Sequence, residues 1–192
     1  MDGIEQKLSK ACVQLLVRHP FFGHLVHQFD RIITPFVKTA MVTHDGRMLF
    51  NPDFVCKSSD DELVFLVAHE VMHIVMAHAV RRGPRNPHLY NIACDAVINE
   101  ILIEENVGAF IPGGIRMDGA QNRTSELIYK QLVDECSKLA CQRTPTRSSA
   151  KNVSIKKRHA AFNSQTCRTG SATNCSVSMK LAAGDGAVAD NA

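Results

Sequence analysis

The sequence predicts a mostly helical α+β domain with a small β-hairpin beside a central helix, followed by a disordered tail. Three observations carry this. Apolar residues recur at helical spacing in several stretches before residue 140. Val37–Thr43 is β-rich, His44-Asp45-Gly46-Arg47 reads as a turn, and Met48-Leu49-Phe50 returns as a second strand. After Cys141, Ser, Thr, Ala, Asn and Gly dominate and apolar periodicity disappears, so too little surface could be buried to offset chain entropy. The folded domain is therefore placed at residues 1–140 and the tail at 141–192.

The elements follow in order. Ile4, Leu8, Cys12, Leu15 and Leu16 form one helical stripe, which His19-Pro20 ends. A short second helix covers Phe21–Phe29, and Asn51-Pro52 closes the hairpin. Ser59-Asp60-Asp61-Glu62 is a capping box, opening a helix expected to reach about Val80, where Arg81-Arg82-Gly83-Pro84 stops it. Asn86-Pro87 starts the next helix, to about Glu105, with proline at its first position. A loop from Ile111 to about Asn122 follows; it could roof a cleft, but a plain connector is the favoured reading. Thr124 begins the last helix, to roughly Leu139, with Leu127, Ile128, Leu132 and Val133 as its inner face.

Composition narrows the class. The chain has 192 residues, 45 % of them apolar, enough for one domain with a real core. The longest apolar runs are broken by charged residues or His, so no membrane span is expected. The N-terminal residues lack the basic-then-apolar pattern of a secretory signal. The seven cysteines include no CxxC pair, and Cys12, Cys56 and Cys94 sit among apolar residues. They read as reduced, buried thiols of a cytoplasmic protein. The net charge of +3 is unevenly spread: residues 1–140 carry 14 Lys and Arg against 17 Asp and Glu, residues 141–192 carry 8 against 2. The positive charge belongs to the tail, which reads as a solvated end. With no helix-turn-helix or zinc-finger pattern, nucleic-acid binding is not favoured.

The chemistry lies in His69-Glu70-Val71-Met72-His73. Residues four apart share a helix face, so His69 and His73 can bind one Zn²⁺, with Glu70 as general base. The surrounding helix is apolar almost all round, and polar groups buried there cost several kcal/mol unless they are satisfied (roughly 2–7 each). A metal would satisfy them together; the bland alternative is two core histidines and a paired Glu. Zinc at a catalytic site usually takes three protein ligands. His78 lies five residues past His73, about 140° round a continuous helix, and should face away. Asp95, an acid among apolar neighbours on the next antiparallel helix, is the favoured third ligand. Asn91 and Asn99, four residues either side, could orient it. His88, Glu100 and Glu104 are its rivals. Tyr90, His88 and the cluster Arg81, Arg82, Arg85 are candidates for stabilising an oxyanion, though the arginines fit a helix-end role better.

Several ordered blocks together resemble a known family. They are His19-Pro20-Phe21-Phe22-Gly23, Thr43-His44-Asp45-Gly46-Arg47 with Phe50-Asn51-Pro52, and Ala68-His69-Glu70-Val71-Met72-His73. His78 with Arg81-Arg82, Asn91-Ile92-Ala93-Cys94-Asp95 with Asn99, and Glu126-Leu127-Ile128-Tyr129 complete them. From about Cys12 to Glu135 the chain resembles the "putative metallopeptidase domain" of bacterial and phage metal-dependent peptidases, zincin-like proteins often joined to a von Willebrand A-like domain. The resemblance implies a zincin-like fold, a Zn²⁺ cofactor, His69, His73 and Asp95 as ligands, Glu70 as base, and a peptide or protein substrate. The chain departs from the long family form in showing no second folded domain after Cys141. The leading expectation is a cytoplasmic zinc metallopeptidase; the alternative is a catalytically inactive, zinc-stabilised interaction module. An extended substrate could add a strand to the edge of the hairpin.

Overall fold

Ser59 opens the helix around which the rest is arranged. Its hydroxyl accepts from the Glu62 amide at 3.2 Å, and its own amide donates to the Glu62 carboxylate at 2.7 Å, the expected capping box. The computed structural model describes residues 2–43 and 45–143. Along them run α1 (Asp2–Arg18), α2 (Pro20–Val26), β1 (Asp30–Ile33), β2 (Ala40–Val42), β3 (Arg47–Phe50), α3 (Pro52–Lys57), α4 (Asp60–Val75), α5 (His78–Arg81), α6 (Pro87–Glu104) and α7 (Ser125–Arg143), with a 3₁₀ turn at Ala120–Asn122. The class is α+β, mostly helical, as the sequence indicates.

Helix α4 is buried on nearly every side: Leu63 to Ala68, Val71 and Met72 all lie in the core. Contacts with α1, α2, α6 and β2 enclose it, which is where an all-round apolar helix must go. Helix α2 presses hard on α1. A Cβ on Gly23 would stand 2.2 Å from the Leu16 Cα, so only glycine fits there.

The hairpin forms as expected, β2 antiparallel to β3, with Ala40 opposite Phe50 and Val42 opposite Met48. A third strand, β1, pairs parallel with the other side of β3. No sequence pattern marks it, because three of its four residues are exposed and no alternation marks a buried face. The order β1-β3-β2 leaves β2 as an edge. Where the sequence showed only the end of the hairpin, Asn51 caps the short α3, accepting from the Phe54 amide at 3.1 Å.

Three sequence expectations need correction. Helix α4 stops at Val75, not Val80: Ala77 takes a left-handed backbone (φ 51°, ψ 38°) and α5 starts afresh at His78. No Gly or Pro announces this break. In α7, Ile128 is fully buried, whereas Leu127 is 57 % exposed and does not belong to the inner face. Cys12 and Cys94 are buried free thiols, but Cys56 is exposed.

Asn86 caps α6, accepting from the amides of His88 and Leu89 at 3.0 and 3.1 Å, with Pro87 in the first turn. The segment after α6 turns back over α4. At Gly108 (φ 66°) an added Cβ would meet the Asp61 carbonyl at 2.4 Å, and Ala109 donates to that same carbonyl at 2.9 Å. Among the described residues, no helix is long and apolar enough to cross a membrane. Most of the expected tail, from residue 144, lies outside the described residues.

Candidate metal centre

Two neighbouring helices bring the predicted site together. His69 and His73 stand one turn apart on α4, and Asp95 faces them from α6. The His69 and His73 Nε2 atoms are 3.0 Å apart. Asp95 Oδ1 lies 3.2 Å from His73 Nε2 and 3.5 Å from His69 Nε2. Donors bonded to one tetrahedral zinc at about 2.0–2.1 Å stand about 3.3–3.4 Å apart. All three separations fall close to that edge length, and the group could hold a metal ion. The expected rivals His88, Glu100 and Glu104 are not part of it.

What surrounds the three donors prepares each of them. Asn99 donates from Nδ2 to the Ile115 carbonyl at 2.8 Å, which fixes its amide so that Oδ1 faces His69 Nδ1 at 2.9 Å. As a neutral imidazole, His69 then carries its proton on Nδ1 and leaves the Nε2 lone pair bare. His73 is treated likewise from the other side. Its Nδ1 lies 3.2 Å from Nδ1 of His78, whose Nε2 lies 3.2 Å from the Ser125 hydroxyl. Protons passed in that order, His73 to His78 to Ser125, again leave His73 Nε2 bare. Asn91 Nδ2 binds Asp95 Oδ2 at 2.9 Å, while Oδ1 is buried with no hydrogen-bond partner among the described residues. Two bare imidazole nitrogens and an orphaned carboxylate oxygen thus converge on one point. A buried acceptor set of this kind fits a cation.

The corrected helix end explains His78. On a continuous helix it would turn away from His73; the left-handed Ala77 breaks the helix and returns it. His78 is 4 % exposed, and its pKa is pushed down to about 3, chiefly by burial and then by His73 and Arg81. It stays neutral and remains an acceptor for His73. His78 and Ser125 are the site residues that sequence reasoning missed. Asn99 meets His69 rather than Asp95.

The electrostatics follow from burial and proximity. Burial pulls the His69 pKa down, and Asp95, with Glu70 and Asn99, more than reverses that, so it is raised. Burial alone would lift Asp95, but in the metal-free site the two imidazoles, when protonated, hold it below the usual carboxylate range. Glu70 is 7 % exposed and its pKa is raised, mainly by burial and in spite of both histidines. The Val42 backbone on the edge strand β2 favours its anion.

These groups line a cleft of about 730 Å³. Thr39 to Val42, along β2, form one wall, and Phe65, Phe110 and Ile111 supply apolar surface. The segment after α6 serves as the roof rather than a bare connector, with Phe110 to Ile115 all facing the cleft. It is pinned at Ile115 by Asn99, at Arg116 by two bonds to Glu100 (2.6 and 3.2 Å), and at the Met117 amide by Glu100 (3.1 Å). Of the suggested oxyanion groups, Arg81 is clamped bidentately by Glu126 (3.1 and 2.7 Å), and the Tyr90 hydroxyl donates to the same carboxylate at 3.1 Å. Arg85 bonds the carbonyls of Arg81 and Arg82 and stacks over the rings of Tyr90 and Tyr129.

The fold and the His-His-carboxylate group together define a helical α+β domain with a candidate metal centre under a pinned roof. Residues 4–189 match the family described as "putative metallopeptidase domain", and the chain belongs to that family. The match runs into the stretch that composition set apart as a tail. A protein of Thermotoga maritima named "Uncharacterized protein" is 26 % identical over 106 residues, covering 52 % of this chain and 27 % of that protein. The chain thus spans about a quarter of the length of that relative. No solved structure matches the chain.

Proposed function

We propose that this protein is a zinc-dependent peptidase of the cytoplasm, with His69, His73 and Asp95 as metal ligands and Glu70 as general base. The observation that carries the reading is the convergence of two bare Nε2 atoms and the orphaned Asp95 Oδ1, each fixed by its own outer partner. A mixed imidazole–carboxylate set with three protein donors suits catalytic zinc. Zinc, when bound, supplies Lewis acidity, acidifying water and polarising the scissile carbonyl.

The remaining work falls to this chain's own groups. Glu70 sits between the two histidines in sequence and is buried in the cleft, and burial raises its pKa, which makes its carboxylate a stronger base. It takes a proton from the attacking water and returns it to the leaving amine. The β2 edge runs along the cleft and pairs with no further strand among the described residues, so an extended peptide can add to it beside the Val42 amide that faces Glu70. Asn91, Asn99, His78 and Ser125 hold and orient the ligands.

The test is metal analysis beside cleavage of a peptide library by mass spectrometry. The reading expects one zinc per chain, lost in His73→Ala and Asp95→Ala, and library cleavage that Glu70→Gln abolishes while keeping the metal. Zinc bound without any cleavage would leave a zinc-stabilised interaction module instead, and no bound metal would remove both readings.

A further inference from the structure

Three arginines stand together at the end of α5, and the fold uses only two of them. Arg81 is held by Glu126 and the Met76 carbonyl, and Arg85 by two carbonyls and two tyrosine rings. The Arg82 guanidinium has no hydrogen bond or ion pair among the described residues, yet Arg82 is half-buried and lines the cleft. Its backbone is anchored: the amide donates to the His78 carbonyl at 3.0 Å, and its own carbonyl accepts from Arg85 at 3.1 Å. Two carboxylates line the same cleft, Glu70 and Asp95, and both belong to the metal centre.

The cleft has a direction. Along α4, Phe65 precedes His69 by one turn and His73 follows by one turn, each turn rising about 5.4 Å. Phe65 meets Phe110 of the roof edge-on at 5.6 Å, so that end is apolar. Past His73 comes His78, its ring 5.2 Å from that of His73, and then Arg82, whose amide bonds the His78 carbonyl; both line the cleft. The two ends, one apolar and one cationic, therefore flank the reacting centre.

We propose that Arg82 is a carboxylate-reading subsite. It selects peptides with apolar side chains on one side of the scissile bond and a carboxylate, from an acidic side chain or a free C-terminus, on the other. A planar guanidinium with unused donors matches a carboxylate in two parallel bonds, and its partial burial shields that pair from water. This substrate class rests on the peptidase reading; the anion site itself does not.

The experiment uses the full-length, zinc-loaded protein and octapeptides with an apolar centre. One flanking position carries glutamate, glutamine or lysine, and the C-terminus is a free acid or an amide. Cleavage by wild type is read by mass spectrometry. Binding is read by fluorescence anisotropy in Glu70→Gln, alone and combined with Arg82→Gln, Arg82→Lys or Arg82→Glu. Carboxylate-bearing peptides should bind about tenfold or more tighter than their neutral counterparts. Arg82→Gln should erase that preference, Arg82→Lys keep part of it, and Arg82→Glu turn it toward lysine. Whether the glutamate or the free-acid arm responds identifies the source of the carboxylate. Binding without a carboxylate preference, a preference that survives Arg82→Glu, or no binding at all overturns the proposal. An Arg82-dependent preference without cleavage by wild type would sink the peptidase reading and leave the anion site standing. Cleavage indifferent to carboxylates would do the reverse.

Discussion

Replacing His78 with phenylalanine tests how the centre is held, because it keeps an aromatic ring in place and removes the acceptor facing His73, together with the Nε2 proton facing Ser125. In the wild type, His73 Nδ1 finds His78 at 3.2 Å, and the His73 side chain is 16 % exposed, so water is a poor substitute. A buried donor left without an acceptor costs about 1–3 kcal/mol. The metal-free protein can escape that cost. Its His73 proton can move to Nε2, within 3.0 Å of His69 Nε2 and 3.2 Å of Asp95 Oδ1. That tautomer occupies the lone pair a metal needs. The loss of the His73 acceptor should therefore appear in zinc affinity and not in the stability of the apo fold. Outer partners of this kind are worth about 10–100-fold in affinity, or roughly 1.4–2.7 kcal/mol, the same range as the unsatisfied donor. Competition against a chromophoric chelator measures the affinity, and thermal melts of the apo protein check the fold. His78→Gln retains an acceptor and should recover part of the loss, and Ser125→Ala, one bond further out, should lose less than His78→Phe. A phenylalanine variant that melts like wild type and binds zinc within about twofold of it would refute the reasoning.

Other outcomes follow from the same geometry. Glu70→Gln should keep zinc and fold but lower cleavage of a library peptide by about 10²–10⁴, the usual worth of a general base. Removing zinc supplied at about 100 times its Kd withdraws roughly 2.7 kcal/mol, so the melting midpoint should drop by roughly 5–10 °C in a chain of this size; an unchanged midpoint would count against a bound metal. Ala77→Gly should stabilise the fold by up to ~1 kcal/mol, read as a higher urea midpoint, because glycine adopts the left-handed backbone at φ 51° without steric cost; a comparable destabilisation would mean that α4 runs on through Ala77. In the apo protein, His78 is held near 3 against an ordinary 6.5. The unfolded chain therefore binds its proton first, and the stability His78 contributes is complete above about 6.5 and fades as pH falls from there toward about 3. Urea midpoints across that window should fall more steeply for wild type than for His78→Phe.

The sequence revealed what depends on local pattern. The capping box at Ser59, the proline-initiated α6 and the four-residue histidine spacing are short-range features, and they appear where the residues place them. Asp95 could be singled out because an acid among apolar neighbours needs a partner, and the short link between α4 and α6 limits where that partner can be. What escaped depends on tertiary context. Strand β1 buries too little to show alternation. The Ala77 break has no signal, since alanine is the best of helix formers and only packing could hold it left-handed. His78 was therefore placed on the wrong face. Nothing in the local pattern sets Ser125 apart, although its hydroxyl ends the chain of contacts behind His73.

One stripe of α6 joins the roof to the centre. Asn91, Asp95 and Asn99 follow at four-residue steps and so share a face. The first holds the second, the second faces the two imidazoles, and the third meets both His69 and the Ile115 carbonyl. Glu100, the next residue, turns about 100° away and ties down Arg116 and the Met117 amide. The Asn99 amide has one orientation only because the roof accepts its Nδ2 proton. If the roof lifted and broke that bond, the amide could turn and present Nδ2 to His69, favouring the tautomer whose Nε2 is protonated and cannot bind metal. The roof therefore helps to set the protonation of a ligand, and loosening it weakens the centre even where none of the three donors has moved.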